Sequence, residues 1–276
     1  MTIILGTILK ILNFIIYSNL FIAVCVAIFT LQTAYIFRET SQNIFLFIIP
    51  NFISTFVLYN IQRLYFSTKY PENKKYGWYA KNKRLLFTLI ILLIISALDV
   101  LLKFFLTNIT TLIIYFILSL LSLSYFLPPL RLRKFGFFKP FIISLTLVWI
   151  AVVLPLLNNL NYSILIYIIS QFLFIAALCI MFDIRDRETD KEMNITTIPV
   201  KTGVLNSKIF ILILVTLYFM SGFFWPIKNS VIITSIISFA LILLTLFSKP
   251  SRHNYFYLFL VDGTIILQFI TLRFFS

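Results

Sequence analysis

Nine stretches of this chain are each long and apolar enough to cross a bilayer. At 1.5 Å per residue, a helix needs about 20 apolar residues to span ~30 Å of hydrocarbon. Such stretches lie near 19–37, 44–66, 85–106, 109–127, 137–157, 162–182, 207–226, 229–247 and 255–275. In hydrocarbon every backbone N–H and C=O must find its partner within the protein, so the expected fold is all-α, a polytopic bundle of nine transmembrane helices. Composition agrees: 61% hydrophobic residues, 32 Phe, 12% charged residues and a mean hydropathy of +1.03 exclude a soluble domain. Residues 3–16 either lie along the interface or extend the first span. Lys10 is the only charge there, and no small-x-small cleavage site follows, so the segment reads as a retained helix and not as a secretory signal. Residues 1–276 read as one integral membrane domain.

Charge sets the expected orientation. Of 23 Lys and Arg residues, 19 lie in or beside the connections on the side of the N-terminus, and Arg38, Lys103, Lys228 and Arg273 fall on the other. The positive-inside rule then places the N-terminus in the cytoplasm and the chain in the cell (inner) membrane. The net charge of +14 follows from topology and attraction to anionic lipid, and no nucleic-acid partner is expected. Cys25 and Cys179 sit in apolar runs, without disulfide or metal-ligand spacing, and read as small buried apolar residues. His253, in a polar loop, reads as incidental.

Against this background the acids are concentrated. Five of the nine fall between Asp183 and Glu192. On a helix turning roughly 100° per residue, Asp183, Asp186 and Asp190 share an arc of about 60°, with Glu188 and Glu192 opposite. Three carboxylates on one face repel each other unless a cation sits among them. Two readings stand: a metal or phosphate site, and a solvated helix end at a membrane surface. The connections after spans two and six are also the long ones, and long loops on one face of a rigid bundle are where sites are built. Both follow polar span ends, Asn60-Ile61-Gln62-Arg63 and Asp183-Ile184-Arg185-Asp186, which suggests two similar halves.

Asp183-Ile184-Arg185-Asp186-Arg187-Glu188-Thr189-Asp190, followed by Thr197-Ile198-Pro199-Val200 and Gly203, resembles the second aspartate-rich motif of the UbiA superfamily of intramembrane prenyltransferases. The resemblance implies that Asp183, Asp186 and Asp190 hold Mg²⁺ on the diphosphate of an isoprenoid donor. The residue chemistry suits that ion, which takes one or two carboxylates together with waters and phosphate oxygens. A second stretch, Tyr125-Phe126-Leu127-Pro128-Pro129-Leu130-Arg131-Leu132-Arg133-Lys134 with Lys139 after it, is similar to the family's segment that ends span four. The prolines stop the span. Tyr125, Arg131 and Lys139 are expected contacts of the diphosphate, and ordinary positive-inside anchoring explains the basic residues equally well.

The chain departs from the family at its first motif, Asn-Asp-x-x-Asp-x-x-x-Asp at the end of span two. Only Asn60 is kept; Ile61, Leu64 and Thr68 stand where the acids belong, and the next carboxylate is Glu72. Arg63, one turn below Asn60, could bind phosphate through two parallel hydrogen bonds without metal. An interfacial Arg closing a span is the plain alternative. The loop Lys69–Arg84, with six basic residues, three Tyr and Trp78, could fold over the site but is expected to lie in the headgroup layer. Asp99 reads as an i,i+4 partner of Lys103. Asp262, inside span nine, should face the bundle interior, lining a chamber or bonding a neighbouring helix.

These features imply a membrane enzyme that transfers a polyprenyl group from its diphosphate to an acceptor in the bilayer, with Mg²⁺ as cofactor. The alternative is an atypical or inactive relative that binds a lipid phosphate without metal-dependent ionisation. A small transporter using Asp262 is a third reading, disfavoured by the clustering of polar residues at one face.

Overall fold

The computed structural model describes residues 2–37, 44–69, 76–107, 109–124, 136–250 and 252–276. Every element among them is helical. In order they are α1 (Thr2–Tyr17), α2 (Leu20–Phe37), α3 (Phe45–Lys69), α4 (Gly77–Lys81), α5 (Lys83–Ser96), α6 (Leu98–Thr107) and α7 (Ile109–Ser124). Then follow α8 (Lys139–Val148), α9 (Tyr162–Glu192), α10 (Ile198–Ser221), α11 (Ser230–Phe247) and α12 (Asp262–Phe275). A π-helical turn, Trp149–Val153, continues α8, and another, Phe256–Val261, leads into α12.

Among the described residues, seven stretches are long and apolar enough to cross a membrane: Leu20–Phe37, Phe45–Lys69, Gly136–Leu157, Tyr162–Glu192, Ile198–Phe224, Ser230–Phe247 and Phe256–Phe275. Each coincides with an expected span. The other two expected spans are shorter helices. The third is divided at Ala97, where the backbone leaves helical geometry (φ −103°, ψ 7°) between α5 and α6, and the fourth is α7, of 16 residues.

The bundle is organised around α9. Its consecutive residues Phe174 to Leu178 are all buried, which marks a helix enclosed on every side. α9 packs on α8 and α10; α11 joins α10 to α12; α12 returns to α2, against which α3 and the Trp149–Val153 turn also lie. Large apolar side chains cover the outside instead. Leu205, Ile209, Ile213 and Leu217 form an exposed stripe at four-residue spacing along α10, a surface suited to lipid.

α9 is longer than its apolar sequence. Asn161 caps its start, accepting a hydrogen bond from the Ile164 amide at 3.0 Å. Its 31 residues extend about 46 Å, well beyond ~30 Å of hydrocarbon, so the Asp183–Glu192 turns project past the membrane core as unbroken helix. The chain then reverses through Asn194, in the left-handed region at φ 56°, and enters α10 through Thr197, with Pro199 in its first turn. Gly136 packs so closely on this reversal that a Cβ there would lie 2.8 Å from the Thr197 nitrogen, which brings the start of α8 beside the end of α9.

Candidate active site

The end of α9 meets the start of α8, the end of α3 and the beginning of α12 around one cavity of about 230 Å³. Its two ends differ in chemistry. At one end stand Arg63, Lys139, Asp183, Arg185, Asp186 and Asp262. Away from them the wall is mostly apolar, with Leu58 on α3, Ile143, Leu147 and Ile150 on the α8 span, and Ile175 and Leu178 on α9, interrupted by the hydroxyls of Ser54, Thr55 and Thr146.

The three aspartates each face a cation supplied by the protein. Lys139 forms an ion pair with Asp183 Oδ1 and lies 3.8 Å from Asp190 Oδ2. Asp183 and Asp190 are fully buried, so Lys139 offsets the repulsion of two carboxylates removed from water. Arg185 forks onto Asp186, with Nε 2.8 Å from Oδ1 and Nη2 3.1 Å from Oδ2. The same guanidinium lies 4.8 Å from the Phe182 ring centroid and 5.7 Å from that of Tyr257, so aromatic faces fix its plane. Asp262 borders the same cavity as Arg185 and Arg63. Asp262 thus faces the chamber, one of the two placements expected for it.

Arg63 also borders the cavity. Its Nε is buried without a hydrogen-bond partner among the described residues, and its guanidinium lies 6.0 Å from the Tyr79 ring centroid. Burial pushes the Tyr79 phenol above its ordinary range, so the ring stays neutral beside the cation. Tyr76, almost fully buried, stacks on Phe66 at 5.7 Å and lines the cavity, and Trp78 stacks on Tyr17 at 6.1 Å. The described part of the Lys69–Arg84 loop therefore folds inward, correcting the headgroup-layer expectation. Burying Tyr76 and Tyr79, with Trp78 half-buried against Tyr17, outweighs their interfacial preference.

Asn60 is placed differently from Arg63. It lies behind the cavity wall, donating to the Ser18 and Phe56 carbonyls at 2.8 Å each and accepting from Asn19 at 3.0 Å. Asn19, not Asn60, borders the cavity. It occupies the turn between α1 and α2 with φ 61°. Tyr125 and Arg131 lie outside the described residues, as do Arg133 and Lys134. The pair of Asp99 and Lys103 forms as expected, at 2.8 Å on an exposed face.

The donor set suits Mg²⁺ in its chemistry. Asp183 and Asp186 offer hard oxygen ligands beside the cavity, and Asp183 Oδ2 is buried with no hydrogen-bond partner among the described residues. Among the described residues no three acidic, His or Cys side chains converge on one point, so waters and phosphate would complete such a shell.

The model of the UbiA prenyltransferase family matches residues 80–260. The chain belongs to the UbiA prenyltransferase family. The matched region contains Lys139 and the whole Asp183–Gly203 motif and begins after Asn60 and Arg63. A solved structure, from work on the biosynthesis of digeranylgeranylglyceryl phosphate synthase in membranes, shares the fold. It superposes with a TM-score of 0.55 at 18% identity, covering 95% of this chain and 97% of the other. No curated protein sequence matches this one. The family assigns an intramembrane, multi-pass setting and prenyl transfer as the reaction class.

Arg185 and Asn19 border the cavity without having been assigned a role from the sequence. Arg185 is hidden inside a motif read for its acids. Asn19 had a faint signal, the Ser18-Asn19 pair that interrupts two apolar runs.

Proposed function

We propose that this UbiA-family protein transfers a polyprenyl group from its diphosphate to an acceptor within the bilayer, in a chamber facing the cytoplasm. One observation carries the reading: a single cavity joins a cluster of buried cations and carboxylates to a deep apolar wall. That is the shape and polarity of an anionic head with a hydrocarbon tail. Arg63, Lys139 and Arg185 would bind the diphosphate, with Arg131 and Tyr125 as further candidates from the connection before Lys139. Asp183 and Asp186, supported by Asp190 through Lys139, would hold Mg²⁺. That ion would supply charge neutralisation to the departing diphosphate. The allylic C–O bond breaks with its electron pair on the leaving oxygen, the acceptor's nucleophilic atom bonds to the prenyl carbon, and the proton that atom carried passes to the released diphosphate. The three cations stabilise the charge that develops, and the aromatic and aliphatic walls exclude the water that would otherwise capture the carbon. Asn60 acts by holding Asn19 at the cavity edge.

The test is thermal protection of the purified protein by prenyl diphosphates with and without Mg²⁺. A stabilising shift that grows with Mg²⁺ and disappears in Asp186→Ala is expected; no shift with any prenyl diphosphate overturns the reading.

A second reading has its own support. Lys139 and Arg185 already neutralise the aspartates, and Ile61, Leu64 and Thr68 bring no carboxylate to the opposite wall. A protein that binds a lipid phosphate by cations alone would keep full affinity in EDTA and lose it in Arg63→Gln.

A further inference from the structure

We infer that the chamber ends at a hydrogen-bonded knot of Asn51, Thr30 and Tyr115, and that this knot sets the length of the prenyl chain the protein accepts. The inference rests on the diphosphate-binding reading above and adds to it the size of the substrate's tail.

The polar end of the cavity and its deepest wall residues lie on the same helices, so helix geometry gives the depth. On α9, Ile175 is eleven residues from Asp186, about 16 Å along the axis. On α3, Ser54 is nine residues from Arg63, about 13 Å. Ile150, opposite them, belongs to the π-helical turn that continues α8. An extended carbon chain advances roughly 1.2 Å per bond, so a five-carbon prenyl unit spans about 5 Å, and the depth corresponds to about three units.

Immediately beyond these residues stands a buried, hydrogen-bonded polar cluster. Asn51, one turn past Ser54 and Thr55, is fully buried. Its Nδ2 donates to Thr30 Oγ1 and to the Ile150 carbonyl, both at 2.9 Å, and its Oδ1 accepts from the Tyr115 hydroxyl. Four segments, α2, α3, α7 and the Trp149–Val153 turn, are thereby tied at one level. None of the three side chains borders the cavity; they stand behind its end. Polar groups this deep in a membrane protein are costly unless satisfied, and interhelical hydrogen bonds are what hold membrane helices at fixed separation. The separation fixed here is that between α3 and the α8 span, which is the width of the chamber's end. Ile150 and Thr55 present the surface, and Asn51 and Tyr115 act as positioning residues behind it.

The test uses binding of geranyl, farnesyl, geranylgeranyl and longer prenyl diphosphates to the purified full chain, read by calorimetry and thermal shift. For the unaltered protein, affinity should rise to farnesyl diphosphate and gain nothing beyond it. Thr55→Phe fills the end from the wall; the Thr55 hydroxyl makes no hydrogen bond among the described residues, so none is lost. It should move the optimum to geranyl diphosphate, with at least a tenfold loss for farnesyl diphosphate. Ile150→Ala keeps the carbonyl that Asn51 uses and should move the optimum towards geranylgeranyl diphosphate. Tyr115→Phe removes one bond of the knot and should broaden the length profile, which a merely stabilising hydroxyl would leave unchanged. Binding with an optimum that stays put in all three variants overturns the inference and leaves the diphosphate reading standing. Binding of no prenyl diphosphate at all overturns both.

Discussion

Arg185 closes on the residue beside it, Asp186, with two charge-assisted hydrogen bonds that engage both carboxylate oxygens. A divalent cation would use those same oxygens, so Arg185 and Mg²⁺ compete for Asp186. Charge-assisted bonds contribute ~1.5–3 kcal/mol. Removing them in Arg185→Gln should tighten Mg²⁺ binding roughly tenfold or more in the absence of diphosphate. The same variant should weaken diphosphate binding, since it removes one of the three cations that border the cavity's charged end. Calorimetry of Mg²⁺ alone, then of diphosphate at saturating Mg²⁺, separates the two effects. Unchanged Mg²⁺ affinity would show that Arg185 does not mask the site.

Lys139 carries the opposite risk. Its side chain is 14% exposed and faces two fully buried aspartates. Lys139→Met leaves Asp183 without its cation, and removing one partner of a buried pair costs about 3–5 kcal/mol. A fall in Tm is expected, with part of the loss restored in Lys139→Met/Asp183→Asn. Circular dichroism melts in detergent measure both. A double variant no more stable than the single one would place the cost elsewhere.

The spans were legible because lipid imposes its demand on every residue that crosses it. Their ends were less so. The helical face of Asp183, Asp186 and Asp190 could be read from spacing, but not that Lys139, 44 positions before Asp183, pairs with Asp183 and Asp190 on that face of α9. A contact of that range leaves no periodicity to read. The site was half legible for a related reason: carboxylate spacing announces itself, while the cations that answer it come from separate elements. Asn60 and Arg63 show the limit most clearly. One helical turn apart, they looked like partners in one task, but α3 turns Arg63 into the chamber and Asn60 onto Ser18 and Asn19.

That division predicts two distinct failures. Asn60→Ala strands the buried Asn19 amide and the Ser18 carbonyl, at ~1–3 kcal/mol, and should lower Tm. Arg63→Gln breaks no ion pair seen among the described residues, so Tm should hardly move, while diphosphate affinity drops about 10- to 100-fold. Paired melts and titrations distinguish them. Equal loss of stability in both variants would mean that Arg63 is structural.

Gly203 offers a test of the motif's tail that touches no charged group. It sits inside α10 with φ 84° and ψ 166°, a conformation open to glycine and strained for any other residue. A Cβ there would meet nothing within 4 Å. The cost of Gly203→Ala is therefore backbone strain alone, about 1–3 kcal/mol. The strain falls one turn past Pro199, whose carbonyl accepts from Arg187 Nε at 3.1 Å, so the kink helps hold the start of α10 against the end of α9. Gly203→Ala should lower Tm and weaken diphosphate binding together, because relaxing the kink loosens the Arg187–Pro199 contact at the end of α9, the helix that carries Asp186. A variant that loses stability but binds at full strength would confine the kink's role to folding.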